Sequence, residues 1–189
     1  MIPSRWFGKR FRVILADPPW RFETWSVRGQ GRSAVNHYAV MRLEEIKALP
    51  IARVAHEDSL LFLWATSPML PEALAVMQAW GYAYRSGAVW TKDKQGLGYW
   101  FRGQHELLLL GVRGKVPAPR PENRPTSWIN APRRAHSQKP EQVHDIIEQM
   151  AAGPYLELFG RQAREGWTVW GDEAPKKPPP SNKPVWRHD

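Results

Sequence analysis

The 189-residue chain contains no cysteine. This absence excludes disulfide bonds, thiolate zinc sites and a cysteine nucleophile. The chain also lacks an apolar run long enough to span a bilayer, because the longest runs, such as 60–65 and 107–110, are far too short. Its first residues lack the apolar core of a signal peptide. Together these absences predict a soluble, cytoplasmic protein.

Acidic residues are fewer than basic residues. The sequence has 27 Lys+Arg against 18 Asp+Glu, which gives a net charge of +9. A basic surplus favours a polyanionic partner, with nucleic acid first and an anionic membrane surface second. The six histidines show no paired ligand spacing, so we expect no metal site. Eleven tryptophans are many for this length, and tryptophan either fills a core or stacks on bases.

Apolar periodicity divides the chain into alternating strands and helices. Continuous apolar runs favour strands buried on both faces, and spacings of three and four residues favour amphipathic helices. The predicted strands are 11–16, 59–65, 84–91, 105–112, 155–159 and 167–170, and the predicted helices are 41–49, 68–80 and 140–150. This alternation predicts an α/β fold with a mostly parallel sheet in one domain, 1–174. The basic proline-rich tail, 175–189, is not expected to fold.

The segments 20–40, 92–104 and 113–136 are predicted to be loops. In open α/β sheets ligands bind beyond the carboxyl ends of the strands, where 17–20 and 159–161 stand in this sequence. The segment 113–136 is rich in proline and arginine and contains Trp128. It either follows a phosphate backbone and stacks a base, or forms a solvated basic loop.

A stiff turn, Asp17-Pro18-Pro19-Trp20, directly follows the first predicted strand. The prolines fix φ, so hydrogen-bond acceptors in the turn are already in position when a ligand arrives. The Asp17 carboxylate and the Pro18 carbonyl suit the two hydrogens of an exocyclic amino group, whose nitrogen gains electron density when both are held. Trp20 offers a face for an unpaired base, worth about 1–3 kcal/mol. The alternative is an ordinary proline turn with an aromatic side chain packed beside it.

This turn resembles the catalytic motif of amino-group methyltransferases, and its acidic first position matches the adenine enzymes. Cytosine enzymes commonly begin with Ser, and enzymes acting on glutamine side chains begin with Asn. Further motifs follow in order: 36–38, 61–66, 80–82, 89–92, 136–140 and 157–161. Over about 11–173 the chain is similar to the family of the mRNA adenosine methyltransferase catalytic subunit, which includes bacterial and phage DNA adenine methyltransferases. The resemblance implies a Rossmann-like, S-adenosylmethionine-dependent methyltransferase fold with a permuted motif order.

The resemblance also implies roles for individual residues. The catalytic residues are Asp17, Pro18, Pro19 and Trp20, and Asp17 also contacts the cofactor amine. Lys139, at the start of a predicted helix, matches the lysine that binds the cofactor carboxylate, and a helix N-terminus also attracts an anion. The other cofactor-binding residues are Glu157, Leu158, Arg161, Asp172 and Glu173, although the family has an Asn-Gln pair at the positions of Asp172 and Glu173. The substrate-binding residues are Trp20, His37 and Tyr38.

The leading hypothesis is methylation of the exocyclic amino group of adenine in DNA, by a bacterial or phage-like enzyme. Alternatives are the same reaction on RNA, methylation of another amino group, and a noncatalytic nucleic-acid-binding subunit. A homodimer or a second subunit would widen the surface for nucleic acid. Taken alone, Lys139 reads as a solvated lysine, and Glu157 with Arg161 reads as a salt bridge between neighbours.

Overall fold

The computed structural model describes residues 2–21, 40–96, 98, 100–134, 138–172 and 174. His37, Tyr38, Glu173 and the tail 175–189 lie outside these described residues. The strands are β1 (Phe11–Ala16), β2 (Ala55–Ala65), β3 (Ala83–Thr91), β4 (His105–Arg113), β5 (Trp128–Asn130), β6 (Tyr155–Leu158) and β7 (Trp167–Trp170). The α-helices are α1 (Leu43–Lys47), α2 (Leu70–Ala79) and α3 (Gln142–Met150). Short 3-10 helices span Ser4–Trp6, Ile51–Arg53, Ser67–Met69 and Pro121–Asn123.

The strands form one sheet in the order β5-β3-β4-β2-β1-β6-β7. Every neighbouring pair is parallel except the two that involve β4, which runs antiparallel to both β2 and β3. The predicted α/β fold with a mostly parallel sheet is confirmed. The carboxyl ends of the other strands and the amino end of β4 therefore meet at one edge, which we call the carboxyl edge.

Both faces of the central strands are buried, which explains their continuous apolar sequences. Side chains alternate between faces along a strand, so Leu61 and Leu63 of β2 pack on one face while Phe62 and Trp64 pack on the other. Helices α1 and α2 cover the first face with Ile46, Ala73, Val76 and Met77. Helix α3 covers the second face with Val143 and Ile147. In the described ranges no helix has the length and apolarity to cross a bilayer.

The predicted helix 68–80 begins with a 3-10 turn and continues as α2. Its end is fixed by Gly81, whose φ of +83° lies in the left-handed region that favours glycine. The residue before Gly81, Trp80, is buried and donates its indole N–H to the Ile46 carbonyl at 2.9 Å. This bond joins the end of α2 to α1, so both helices are held on one face of the sheet.

The structure corrects three of the predicted element boundaries. The predicted loop 113–136 contains β5, which pairs in parallel with β3 and buries only Ile129. Strand β2 begins at Ala55 rather than at residue 59. The reason is that Ala55 pairs with Phe11 of β1, although the side chains of residues 56–59 are polar. Helix α1 is shorter than the predicted 41–49. In each case hydrogen bonds to a distant segment, or the lack of a buried face, outweigh the local apolar pattern.

Candidate active site

The stiff turn after β1 lies at the carboxyl edge. The Asp17 backbone N–H donates to the Leu158 carbonyl at 3.4 Å, which ties the turn to β6. The Pro18 carbonyl accepts the Trp20 N–H at 2.8 Å, and the Pro19 carbonyl accepts the Met41 N–H at 3.1 Å. A carbonyl oxygen has two lone pairs, so that of Pro18 retains capacity for one more donor.

Four charged side chains form a continuous network beside this turn. Lys139 Nζ lies 2.6 Å from Asp17 Oδ2 and 3.4 Å from Glu106 Oε2, and Glu106 Oε1 lies 2.5 Å from Lys92 Nζ. The two inner side chains, of Lys139 and Glu106, are only 16% and 14% exposed. Ions this close and this shielded interact much more strongly than surface pairs do. The network therefore holds the Asp17 carboxylate in one position.

The charges in the network set one another's pKa values. Burial raises the pKa of the Asp17 carboxyl, against the opposing effects of Lys139 and Arg161. Burial acts to lower the pKa of Lys139, but the carboxylates of Asp17 and Glu106 outweigh it and raise that pKa. Burial likewise acts to raise the pKa of Glu106, and Lys139 with Lys92 outweighs it and lowers that pKa. Lys139 is thus a firmly held cation between two carboxylates.

Aromatic side chains surround the network. Lys139 Nζ lies 5.6 Å from the ring centroid of Trp64, and Lys92 Nζ lies 4.8 Å from that of Trp90. The rings of Trp64 and Trp90 meet edge to face at 6.0 Å. Trp20 is 6% exposed and donates its indole N–H to the Trp64 carbonyl at 3.1 Å. Trp20 is therefore fixed beside the site, and its stacking on a base stays a prediction.

A cavity of about 580 Å³ opens at the carboxyl edge between β1, β6 and the start of α3. Its size is typical of a small-molecule site. Lys139 and Pro140, which directly precede α3, form one wall. The side chains with polar groups that line it include Asp17, Lys139, His144, Glu157, Arg161 and Arg164. Four of the predicted site residues, Asp17, Lys139, Glu157 and Arg161, are thus brought to one cavity.

Glu157 is paired with a residue that sequence reasoning did not select. Its Oε2 lies 3.0 Å from His144 Nε2. The pairing of Glu157 with Arg161, which the sequence suggests, stays a prediction. The His144 ring packs edge-on against Trp167 at 4.8 Å, and its Nδ1 is buried without a hydrogen bond to any described residue. The sequence carried one usable signal for His144. This residue directly follows Val143 in the first turn of α3, and the helix begins at the cavity.

Two other predicted cofactor residues are placed differently. Leu158 has no exposed surface, so its side chain belongs to the core, and its backbone carbonyl accepts the Asp17 N–H of the stiff turn. Asp172 follows β7 with an exposed side chain, and among the described residues it is not part of the cavity wall. A contact from Asp172 to a cofactor stays a prediction.

Backbone strain marks the turn after β6. Phe159 has a φ of +64°, a left-handed conformation that costs a residue other than glycine about 1–3 kcal/mol. A Cβ at Gly160 would lie 2.6 Å from Val169 Cγ1, so only glycine fits between β6 and β7 there. The Gly160 N–H donates to the Trp170 carbonyl at 3.0 Å. The strained turn brings the backbone close to the cavity, leaving room for a ligand.

Glu106 and Lys92 are functional candidates to which the sequence analysis gave no role, although Lys92 ends one of the matching motifs. Glu106 is at the start of an apolar strand, and its role depends on β4 running antiparallel, which places the strand's amino end beside Asp17. Lys92 follows β3, so its place after a strand was a usable signal.

A Rossmann-like α/β domain with a stiff acidic turn, a buried lysine and a ligand-sized cavity at the carboxyl edge defines a methyltransferase. The MT-A70 family matches residues 11–173, and the chain belongs to this family. The predicted enzyme class, an adenine methyltransferase, is confirmed. Methyltransferases of this family use S-adenosylmethionine in general.

Known relatives share most of the chain. It is 30% identical to the type II methyltransferase M.MunI of a Mycoplasma species, over 88% of this chain and 79% of that protein. It is 28% identical to the N(6)-adenosine-methyltransferase MT-A70-like protein of Drosophila melanogaster, over 87% of this chain. It is 27% identical to the human N(6)-adenosine-methyltransferase catalytic subunit METTL3, also over 87% of this chain. The chain spans only 27% and 28% of the length of these last two proteins.

Proposed function

We propose that this chain transfers a methyl group from S-adenosylmethionine to the exocyclic amino group of adenine in DNA. The observation that carries the proposal is the Asp17 carboxylate, held at the carboxyl edge by Lys139 and followed by a proline-stiffened turn. The likeness to a type II methyltransferase over most of that protein's length favours DNA. The adenosine methyltransferases share only about a quarter of their length, so RNA is the second candidate.

In this proposal the turn makes a weak nucleophile reactive. S-adenosylmethionine supplies an electrophilic methyl group on a sulfonium. Asp17 accepts one hydrogen of the adenine amino group, and the Pro18 carbonyl, with a lone pair to spare, accepts the other. Holding both hydrogens returns electron density to the nitrogen and aligns its lone pair for in-line attack. The bond between nitrogen and methyl forms as the bond to sulfur breaks, and the nitrogen then loses one proton to Asp17 or water.

The cavity residues fit the cofactor. An ammonium has three N–H donors, and Lys139 donates one to Asp17 and forms an ion pair with Glu106 at 3.4 Å, which leaves donor capacity for the cofactor carboxylate. The buried His144 Nδ1 without a described partner and the Glu157 carboxylate beside it are suited to ribose hydroxyls. Arg161 lines the same cavity near this end. We assign the cofactor carboxylate to Lys139 and the ribose to Glu157 with Arg161.

Labelled methyl transfer to DNA and to RNA, followed by nucleoside analysis, tests the proposal. We expect N6-methyladenine in DNA. Asp17→Ala should abolish turnover because the acceptor is removed, while the protein stays folded with a lower unfolding temperature, because Lys139 loses its partner at 2.6 Å. Asp145→Asn is a matched control, since Asp145 is an exposed carboxylate on α3 that pairs with Arg164. Methylcytosine, methylation of RNA alone, or no transfer by folded, cofactor-bound protein would contradict the proposal.

Location and assembly stay predictions. A cytoplasmic enzyme with DNA as its partner agrees with the basic surplus. The name of METTL3 describes it as a catalytic subunit, so a second subunit or a homodimer is a reasonable expectation for this chain too. Sedimentation of the purified protein at several concentrations distinguishes a monomer from a dimer.

A further inference from the structure

The connection between β3 and β4 carries the most exposed aromatic side chains in the described part of the chain. Trp100 is 96% exposed and Phe101 is 91% exposed. Soluble proteins rarely leave two large adjacent aromatic side chains in water without a use for them. The mechanism proposed above uses neither residue. We call the connection 92–104 the aromatic hairpin. The structure describes all of its residues except 97 and 99.

The aromatic hairpin projects from the carboxyl edge. Strand β3 ends there and β4 begins there, because β4 is antiparallel. Pairing continues beyond the sheet: the Lys92 N–H donates to the Gln104 carbonyl at 2.9 Å, and the Gly96 N–H donates to the Gly103 carbonyl at 2.6 Å. At its base, Lys92 contacts Glu106, which contacts Lys139, the partner of Asp17. The hairpin is thus anchored to the catalytic network.

The backbone at Gly98 is closely packed, although the side chains of Trp100 and Phe101 are exposed. A Cβ at Gly98 would collide with the Phe101 carbonyl, so the chain there turns tightly. The backbone N–H of Arg133 donates to Asp93 Oδ1 at 2.8 Å, which fastens the base of the hairpin to the segment after β5. An aromatic pair on an anchored support loses little entropy when it inserts into another molecule.

Charge around the hairpin matches a polyanion. Lys94 and Arg102 on the hairpin are exposed, and so are Arg133 and Arg134 on the neighbouring segment. Arg133 Nε lies 3.9 Å from Asp93 Oδ1 and Arg134 pairs with Glu141, so Lys94 and Arg102 supply the net positive charge of these six side chains. A rim of lysine and arginine around aromatic side chains is typical of surfaces that bind nucleic acid.

We propose that Trp100 and Phe101 form a wedge that enters duplex DNA next to the target adenine and fills the space that this base leaves. This inference rests on the proposed function. The amino group of adenine is paired inside a duplex, so the base must leave the stack to reach Asp17. Apolar side chains that insert between base steps compensate for lost stacking in proteins that distort DNA. The wedge lies at the carboxyl edge, where the extruded adenine must enter the site to reach Asp17.

The test compares duplex and single-stranded DNA as substrates for the double variant Trp100→Ala, Phe101→Ala. One mixed-sequence plasmid is used intact and after heat denaturation, with labelled S-adenosylmethionine. We expect kcat/KM on the duplex to fall about tenfold or more, because lost aromatic stacking raises the cost of extruding the base. On denatured DNA, where no base needs to leave a duplex, the loss should stay below about threefold. Cofactor affinity, measured by calorimetry, should not change.

Tyr84→Ala is the matched control. Tyr84 is 53% exposed at the start of β3, at the opposite edge of the sheet, and should have no effect on either substrate. Equal losses on both forms of DNA, or no loss at all, would overturn the wedge. A wild-type dimer that the double variant converts to a monomer would show that the aromatic pair binds a second copy instead. If the wild type methylates neither form, the proposed function itself fails, and the wedge with it.

Discussion

Replacing Lys139 by Met tests the core of the site, because it keeps much of the side-chain volume and removes the charge. Lys139 is 16% exposed and is shared by Asp17 and Glu106 at 2.6 Å and 3.4 Å. A hydrogen bond to a charged group contributes about 1.5–3 kcal/mol. The lost contact to the cofactor carboxylate should therefore weaken cofactor binding about ten- to a hundredfold.

The same substitution should also lower the free energy of unfolding. Two carboxylates would face each other without the cation between them, which for a fully buried pair costs roughly 3–5 kcal/mol. The loss should be smaller here, because Asp17 is 31% exposed and takes up a proton more readily once Lys139 is gone.

Calorimetric titration with S-adenosylmethionine and denaturant unfolding measure the two effects. Lys47→Met is the control: Lys47 pairs with Glu44 on α1, whose carboxylate is 78% exposed, and such surface pairs contribute about 0–1 kcal/mol. Cofactor affinity within about twofold of the wild type, in a folded Lys139→Met protein, would refute the assignment of the lysine to the carboxylate.

Two further predictions concern the pH profile and the strained turn. Methyl transfer should fall as pH drops through the pKa of Asp17, which burial raises above the ordinary 3.8, because the ionised carboxylate is a stronger hydrogen-bond acceptor than the protonated carboxyl. Glu106→Gln should move this acid limb to lower pH, since the charge of Glu106 raises the pKa of Asp17; superimposable pH–rate profiles would count against the network. Gly160→Ala should lower the free energy of unfolding by about 1–3 kcal/mol through its clash with Val169, and Val169→Ala should restore part of it. Unchanged thermal unfolding of Gly160→Ala would disprove the close packing.

The sequence predicts the central sheet well because burial on both faces produces an unmistakable pattern. Residues 13–16 of β1 and 60–65 of β2 are continuous apolar runs, and β1 ends shortly before the prolines begin. Asp17 and Lys139 are 122 residues apart in sequence, and the resemblance to a known family is what assigned both to one site, because Lys139 taken alone reads as a solvated lysine. The strand pattern is local, so it is visible without knowledge of the tertiary contacts.

The pairing of β5 and the reversed direction of β4 could not be predicted, because they depend on distant partners. Strand β5 buries one residue, Ile129, and exists through its bonds to β3. Glu106 reads as an ordinary residue at the start of a strand until the direction of β4 is known. The contact between His144 and Glu157 needs the position of α3 over β6. Each of these features arises from the packing of elements, which single-sequence patterns do not encode.

Because β4 is the one reversed strand among the described residues, the connection from β3 both leaves and re-enters the sheet at the carboxyl edge. Between two parallel strands, a connecting segment must cross to the opposite edge, so a change in its length shifts a helix against the core. The 92–104 connection is free of that constraint. Insertions and replacements between Lys92 and Gln104 should therefore leave the core packing unchanged. On the wedge proposal, grafting this segment between relatives while keeping Lys92, which pairs with Glu106, should change the preference for duplex DNA.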